Sequence, residues 1–413
     1  MKNYLAIITQ SIGKNLTNFG GSPETSQTRA VSPSPNREVK PMTDSVKCPY
    51  CLSTSFQKRG FRQKKREQVQ LYLCKDCRKT FTLQITKGKH YPLAIMLNAI
   101  SLYNLGYSLE QVCQILQQRN DYRIQPTSVS RWLSETKELC RFERMRAYAC
   151  KKYSPKDMVV HATLAHRQLY RFRFHQAKCN LIISDDFKHR RFRPVQEFLQ
   201  MVPSECPHQY CQDNQRASEA PLAFSKKQMI VRAKQNYATK LATFVLQSVT
   251  ERRQRHEALQ KFMIANDSVT VATEVPVYIT KDDIEHLQTQ LGFAIYGEPQ
   301  AELPKLITGH IDILQIRNGQ IHILDYKPNA EKEQPIEQLT LYALALSRLT
   351  GLRLFEFKCA WFDEEHYFEF FPLHVLHKPK KNSRRRKVYT MEGVYAINQT
   401  DAKMTSLHSI VTK

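Results

Sequence analysis

The sequence predicts a multidomain chain made of a small metal-bound module, an all-α segment and an α/β domain. Three observations carry this. Two Cys-x-x-Cys pairs, Cys48 with Cys51 and Cys74 with Cys77, stand 22 residues apart. Three helical patterns follow between Tyr91 and Cys140. From Ser225 onward the order is helix, three strands, helix, then strand, which is an α/β order.

At 413 residues and 41% hydrophobic content, the chain is long enough for two or three domains with real cores. No stretch approaches the roughly 20 apolar residues of a membrane span, and "MKNYLAIITQSIG" carries no convincing signal cleavage site. The expectation is a soluble chain in the cytoplasm, on the nucleoid if the cell is prokaryotic. Its 62 Lys+Arg against 38 Asp+Glu leave a net charge of +24, and such an excess implies a polyanionic partner. Nucleic acid is the first choice. An anionic membrane surface ranks below it, because no amphipathic anchor accompanies the charge. Eleven cysteines is an odd number, and four of them form the two pairs, so metal thiolates are favoured over a secreted disulfide framework.

Taken in order, residues 1–43 are rich in Ser, Thr, Pro, Asn and Gly and are expected to be disordered, with Met42 as a second candidate start. Residues 44–90 hold the cysteine pairs at zinc-ribbon spacing, in which two knuckles present four thiolates tetrahedrally. Four thiolates close the shell, so a zinc ion there is structural. Basic runs on either side, "QKRGFRQKKRE" and "CRKTFTLQITKGKH", add sequence-independent attraction to phosphate. Residues 91–150 contain "YPLAIMLNAISLYNL", "SLEQVCQILQQRN" and "PTSVSRWLSETKELC", with Pro92 in a first turn, Ser108 as an N-cap and Gly106 as a break. The last two segments have a helix-turn-helix layout, the second helix led by Thr127, Ser128, Ser130 and Arg131 as DNA-contacting candidates.

Residues 151–224 are read as a central α+β region without an assigned role. "VVHATLAHRQLYRFRFHQAKCNLIIS" alternates like strands in places, and its Tyr and Phe are expected to pack inward rather than stack on bases. "PSECPHQYCQDNQ" reads as a loop. Cys206, Cys211 and His208, with Cys179, are a candidate second metal site, although the spacing fits no common knuckle. Residues 225–373 are the α/β domain: a long helical pattern from Ser225 to about Asn266, the strand "SVTVATEVPVYI", a hairpin, a helix from Pro335 to Leu349 closed by Gly351, and two further strands. Residues 374–413 carry "KPKKNSRRRK" and are read as a flexible basic tail.

The hairpin, "GHIDILQIRNGQIHILDYKP", holds the chemistry. Asn318-Gly319 between β-rich runs signals a type I′ turn, which needs φ > 0 at both central residues. Pairing Arg317 with Gln320 then sets Ile316 against Ile321, Leu314 against Ile323 and Asp312 against Asp325, with Lys327 on the same face opposite His310. Directly opposed like charges destabilise a sheet. A divalent cation would compensate them.

Asp312 followed by Asp325-x-Lys327 on adjacent strands resembles the core of the PD-(D/E)XK nucleases, most closely their RecB-like branch. Gly309 to Asp312, Asp325 to Lys327, and Gln338 with Tyr342 in "EQLTLYALAL" carry that resemblance. It implies a restriction-endonuclease-like domain with a central mixed sheet, and an Mg²⁺- or Mn²⁺-dependent deoxyribonuclease. It further implies Asp312 and Asp325 as metal ligands, His256 and Glu274 as auxiliary ones, Lys327 as the catalytic amine, and Gln338 and Tyr342 as backbone contacts. The usual Pro-Asp pair is absent, since Ile311 precedes Asp312. The segment Cys48 to Leu139 resembles the zinc-ribbon and helix-turn-helix region of insertion-sequence transposases, on "CPYC", "CKDC", Phe81 and "SVSRWL". That resemblance implies DNA as the partner and a link to mobile elements or genome defence; a homodimer stays open. Two alternatives are a non-catalytic DNA-binding regulator and a transposase using Asp185 or Asp186 in a DDE-type site.

Overall fold

The computed structural model describes residues 47–63, 68–82, 90–185, 187–226, 229–249, 251–297, 303–377, 395–397 and 404–406. The readings of residues 1–43, of Asp186 and of the basic run at 378–387 lie outside the described residues. Two units result, a small one around the cysteine pairs and a large one that takes in everything from Thr82 on.

Around the cysteine pairs, strands Phe56–Gln63, Gln68–Cys74 and Thr80–Phe81 are neighbours in that order. A left-handed residue follows each cysteine pair, Leu52 at φ 60° and Arg78 at φ 58°. These turns close through the Cys48 N–H donating to Ser53 O at 2.8 Å and the Cys74 N–H donating to Lys79 O at 3.0 Å. The two pairs therefore sit on matching turns. Phe56, Tyr72 and Phe81 pack together beside the buried Cys48 and Cys74 as the unit's core.

A mixed sheet organises the large unit. Its central order is Tyr367–Phe370, Phe357–Phe362, Gln320–Tyr326, Leu306–Arg317, Thr270–Thr280, Gln168–Phe174 and Val160–His166. Gln320–Tyr326 runs antiparallel to Leu306–Arg317 and parallel to Phe357–Phe362. The hairpin turns at Asn318 (φ 53°) and Gly319 (φ 70°), both left-handed as an I′ turn requires. Its ladder runs from Arg317–Gln320 back to Ile313–Leu324. Asp312 and Asp325 are the next residue on each strand.

Alternation decides which face each hairpin residue serves. Leu314, Ile316, Ile321 and Ile323 join the core beneath the helix Ile336–Thr350, together with its Leu339 and Tyr342. Ile313, Leu324 and Tyr326 join the opposite core, formed with helices Leu93–Asn104, Tyr237–Leu246 and Arg255–Asn266. Helices Leu109–Asn120 and Pro126–Thr136 contribute Val112, Leu116, Val129 and Trp132 to that same core. A buried amide pair reinforces it: Asn104 Nδ2 donates to Asn266 Oδ1 at 2.7 Å. The three helices of residues 93–136 thus share a core with the sheet that carries both aspartates.

Local signals hold where they are strong. Ser108 caps its helix in a reciprocal capping box with Gln111, Gly106 takes φ 100°, and Gly351 ends Ile336–Thr350 in the left-handed conformation. The single long helix expected from Ser225 to Asn266 is corrected to a strand, Ile230–Ala233, and two helices, Tyr237–Leu246 and Arg255–Asn266. Ile230 and Val231 favour a strand, which pairs with Tyr367–Phe370, and Asn236 caps the next helix by accepting from the Ala238 N–H at 2.9 Å. The expected loop at "PSECPHQYCQDNQ" instead continues the helix Arg193–Glu205 through Pro203 and adds the turn Tyr210–Asp213. Among the described residues no helix is long and apolar enough to cross a membrane.

Because Gly319 occupies the left-handed region, Gly319→Ala should destabilise the chain by about 1 kcal/mol. Urea unfolding would show this as a lowered midpoint at unchanged slope; an unchanged midpoint would remove the turn from its role in setting register.

Candidate active site

Asp312 and Asp325 face the same side of the sheet from neighbouring strands, near its edge with the helix Arg255–Asn266. Asp325 is buried and Asp312 half-buried. His256, one residue into that helix, brings its imidazole to the pair, and the three ligand atoms lie within 4.8 Å of one another. His256 Nε2 is 3.8 Å from Asp312 Oδ2 and 2.7 Å from the Tyr326 carbonyl oxygen. The Tyr326 carbonyl, which the sequence reading had not singled out, is thus a further oxygen at the site.

Lys327 reaches back along its own strand, with Nζ 2.9 Å from Asp325 Oδ2. Its N–H donates to Phe362 O on the adjacent strand. The expected position opposite His310 is not formed: the hairpin ladder ends at Ile313–Leu324, and the His310 ring pairs instead with His166.

Glu274 enters from the strand Thr270–Thr280 in a left-handed conformation, φ 52°, unusual for a residue with a side chain. The ladder to Leu306–Arg317 pairs Thr273 with Ile313 and Val275 with Ile311, so Glu274 stands at the level of Asp312. Its carboxylate accepts a hydrogen bond from Gln260 Nε2 at 2.7 Å. Gln260 lies one turn along the helix from His256, a second residue the sequence reading passed over. Its signal is the i, i+4 spacing.

Across the cleft, Gln338 Nε2 donates to Tyr342 Oη at 2.8 Å. The Tyr342 ring lies flat against Gly309, where any Cβ would overlap it. Gly309 is therefore required three residues before Asp312 by a tyrosine on another element. Glu274, Asp312, His310, Tyr170, Gln338 and Tyr342 line one cleft of about 210 Å³.

Electrostatics show what the cluster lacks. Burial, with Glu274 adding to it, pushes the Asp312 carboxyl up to about 6, and burial with Asp312 alongside drives Asp325 well above the ordinary carboxylate range. Burial, opposed by Gln260 and Arg173, takes Glu274 up to about 7. For Lys327 burial works against the charge, but Asp325 and Asp312 outweigh it and raise its pKa. Burial lowers the His256 pKa despite Asp325, and its Nε2–H donates to the Tyr326 carbonyl oxygen, a hydrogen bond that ligation through Nε2 would replace. Two full negative charges about 4 Å apart repel by about 4 kcal/mol at an effective dielectric of 20. Two carboxylates and a neutral imidazole around one point suit a divalent cation, which would remove that repulsion. The residues present fit such an ion.

The four cysteine sulfurs of the small unit also lie within 4.8 Å of one another, with Cys48 Sγ 3.6 Å from Cys77 Sγ and Cys51 Sγ 3.5 Å from Cys74 Sγ. Tetrahedral zinc with bonds of about 2.3 Å sets sulfurs about 3.8 Å apart, so this group could hold zinc. On the helix Pro126–Thr136, Thr127, Ser130 and Arg131 are exposed and Ser128 half-buried. Asp185 ends a π-helical segment, Leu181–Asp185.

The family model for the PD-(D/E)XK nuclease superfamily matches residues 190–398. No curated protein and no solved structure matches the chain.

Raised carboxyl pKa values mean that the folded chain holds more protons than the unfolded one between about pH 4 and 7, so this cluster's contribution to stability falls as pH rises through that window. In EDTA at pH 7.5, Asp312→Asn should melt about 2–4 °C higher than wild type, and the gap should close at pH 5. Adding Mg²⁺ should raise the wild-type melting temperature and leave the variant unmoved. A variant that melts lower at pH 7.5 without metal would show that charge crowding does not govern this site.

Proposed function

Since the chain belongs to the PD-(D/E)XK nuclease superfamily, we propose that it is a metal-dependent nuclease that hydrolyses DNA phosphodiester bonds at the site of Asp312, Asp325 and Lys327, in the manner of the RecB-like branch. One observation carries this: two carboxylates meet on adjacent strands with a lysine ammonium 2.9 Å from one of them. Asp312, Asp325 and His256 would hold the cation, Mg²⁺ or Mn²⁺, with the Tyr326 carbonyl beside them. Such an ion supplies a water of lowered pKa and neutralises charge building on the phosphate.

The chain's own groups do the rest. Lys327, kept charged by Asp325, stabilises the oxyanion of the phosphate under attack or orients the attacking water. Glu274, raised to about 7, exists in both protonation states near neutral pH and can hold or release a proton beside Asp312. Gln338 fixes the Tyr342 hydroxyl over the cleft, where it can contact the nucleic-acid backbone. The superfamily acts on DNA, and the +24 charge supports a polyanionic partner. The four-cysteine unit supports a zinc ribbon, and the exposed Thr127, Ser130 and Arg131 support a recognition helix that with Ser128 meets duplex DNA. We read the two together as a DNA-docking part like that of insertion-sequence transposases, in a cytoplasmic enzyme of mobile elements or genome defence.

Purified full-length chain should cut supercoiled and linear DNA with Mg²⁺ and not with EDTA. Asp325→Ala should abolish cutting, and Lys327→Ala should slow it by roughly 10²–10³-fold. Cutting that survives Asp325→Ala would refute the site. Tight binding without cutting in either Mg²⁺ or Mn²⁺ would favour a non-catalytic regulator.

Protons compete with the metal for Asp312 and Asp325, both raised above the ordinary carboxylate range and Asp312 up to about 6, so at limiting Mg²⁺ the rate should climb as pH rises above about 6. Saturating Mg²⁺ should shift that rise to lower pH. A profile insensitive to Mg²⁺ concentration would separate these carboxylates from metal binding.

A further inference from the structure

His166, which lines the same cleft, belongs to a donor set that takes no part in the nuclease site. Cys206 and His208 follow the helix Arg193–Glu205, separated by Pro207, and the chain folds back there through the His208 N–H donating to Cys206 O at 2.8 Å. His166, the last residue of the strand Val160–His166, meets them, and one ligand atom from each of the three lies within 4.8 Å of the others. Cys179 and Cys211, the other members of the candidate site in the sequence, do not join this group.

We propose that Cys206, His208 and His166 form a transition-metal site of the zinc class, which fastens the 206–208 turn to the end of the strand Val160–His166. Cys206 Sγ lies 3.8 Å, and His208 Nδ1 2.9 Å, from His166 Nε2. Zinc bonds of about 2.3 Å to sulfur and about 2.05 Å to nitrogen, at tetrahedral angles, place S and N about 3.6 Å apart and two N atoms about 3.3 Å apart. The observed pair brackets those values.

His166 is also held as a ligand histidine is held. Its Nδ1 stands 2.8 Å from His310 Nε2, and the His310 ring stacks on Tyr170 at 3.6 Å between centroids and 7° between planes. With His310 Nε2 accepting, His166 Nδ1 carries the proton, and the His166 Nε2 lone pair points toward Cys206 and His208. A ligand imidazole anchored through its far nitrogen is the usual arrangement around zinc. Thiolate and imidazole donors select zinc-class ions over Mg²⁺, so this site and the carboxylate site would not compete for one metal. Three protein ligands leave the fourth position to water.

Metal content of the full-length chain, purified from zinc-supplemented growth, tests this directly. Cys206→Ser and His208→Asn should each carry one zinc equivalent less than wild type, and the same loss should appear when Cys48 and Cys51 are both Ser. His208 is exposed, so His208→Asn leaves packing intact, and circular dichroism would verify it. Cobalt added to the metal-stripped Cys48→Ser, Cys51→Ser, Cys74→Ser, Cys77→Ser chain should give a thiolate-to-cobalt band that vanishes on Cys206→Ser. Equal zinc in wild type and both variants, with no band that depends on Cys206, would overturn the site and leave a hydrogen-bonded histidine pair only.

Discussion

Two carboxylates held at neighbouring positions across a strand pair impose the constraint from which the rest of the large unit follows. They are there because a two-residue turn with both residues left-handed leaves the hairpin one register, and that register cannot slip without turning every apolar side chain to the wrong face. Once Asp312 and Asp325 face each other in a half-buried place, every nearby group is fixed in sign. Lys327 must be charged, His256 is kept neutral, and Glu274 takes up a proton that an exposed glutamate would release. The polypeptide accepts an arrangement that is unfavourable without a counter-charge, which a divalent cation would supply.

Supporting elements are selected by the same constraint. Gly309 has no side chain because the Tyr342 ring occupies that space, and the ring is steadied by Gln338 one turn before it. Glu274 reaches Asp312 only by leaving the extended backbone, and Gln260 secures its carboxylate where the ladder is interrupted. The helix Arg255–Asn266 contributes on two counts, His256 to the aspartates and Gln260 to the glutamate.

Much of this was legible before any coordinates, because it is local. Hairpin register follows from Asn318-Gly319 and strand alternation, while Gln338 with Tyr342 were implied by the resemblance and share a helix face at i and i+4. Gly351 and Ser108 announce helix ends by their own chemistry. What the sequence does not carry is pairing at long range. The run from Ser225 to Asn266 reads as one helix until Arg232 and Ala233 pair with Glu369 and Phe368 at a strand edge. His166 has no signal in its own neighbourhood, since its partners arrive from two other segments, Cys206 and His208 from one turn and His310 from a strand. For Gln260 a spacing to His256 existed, but nothing in the sequence said that Glu274 would bend toward it.

The core shared by the helices of residues 93–136 and the strands around Leu324 and Tyr326 bears on how such a chain is assembled. An apolar sheet face roofed by these helices has no finished surface of its own, so the nuclease sheet and the helices above it are inherited together. A lineage could not exchange one set of helices for another, as beads on a string are exchanged, without rebuilding Ile313, Leu324, Tyr326 and Phe362 to match. Any displacement of those helices would reach the underside of the strand that carries Asp325 through packed side chains rather than through a linker.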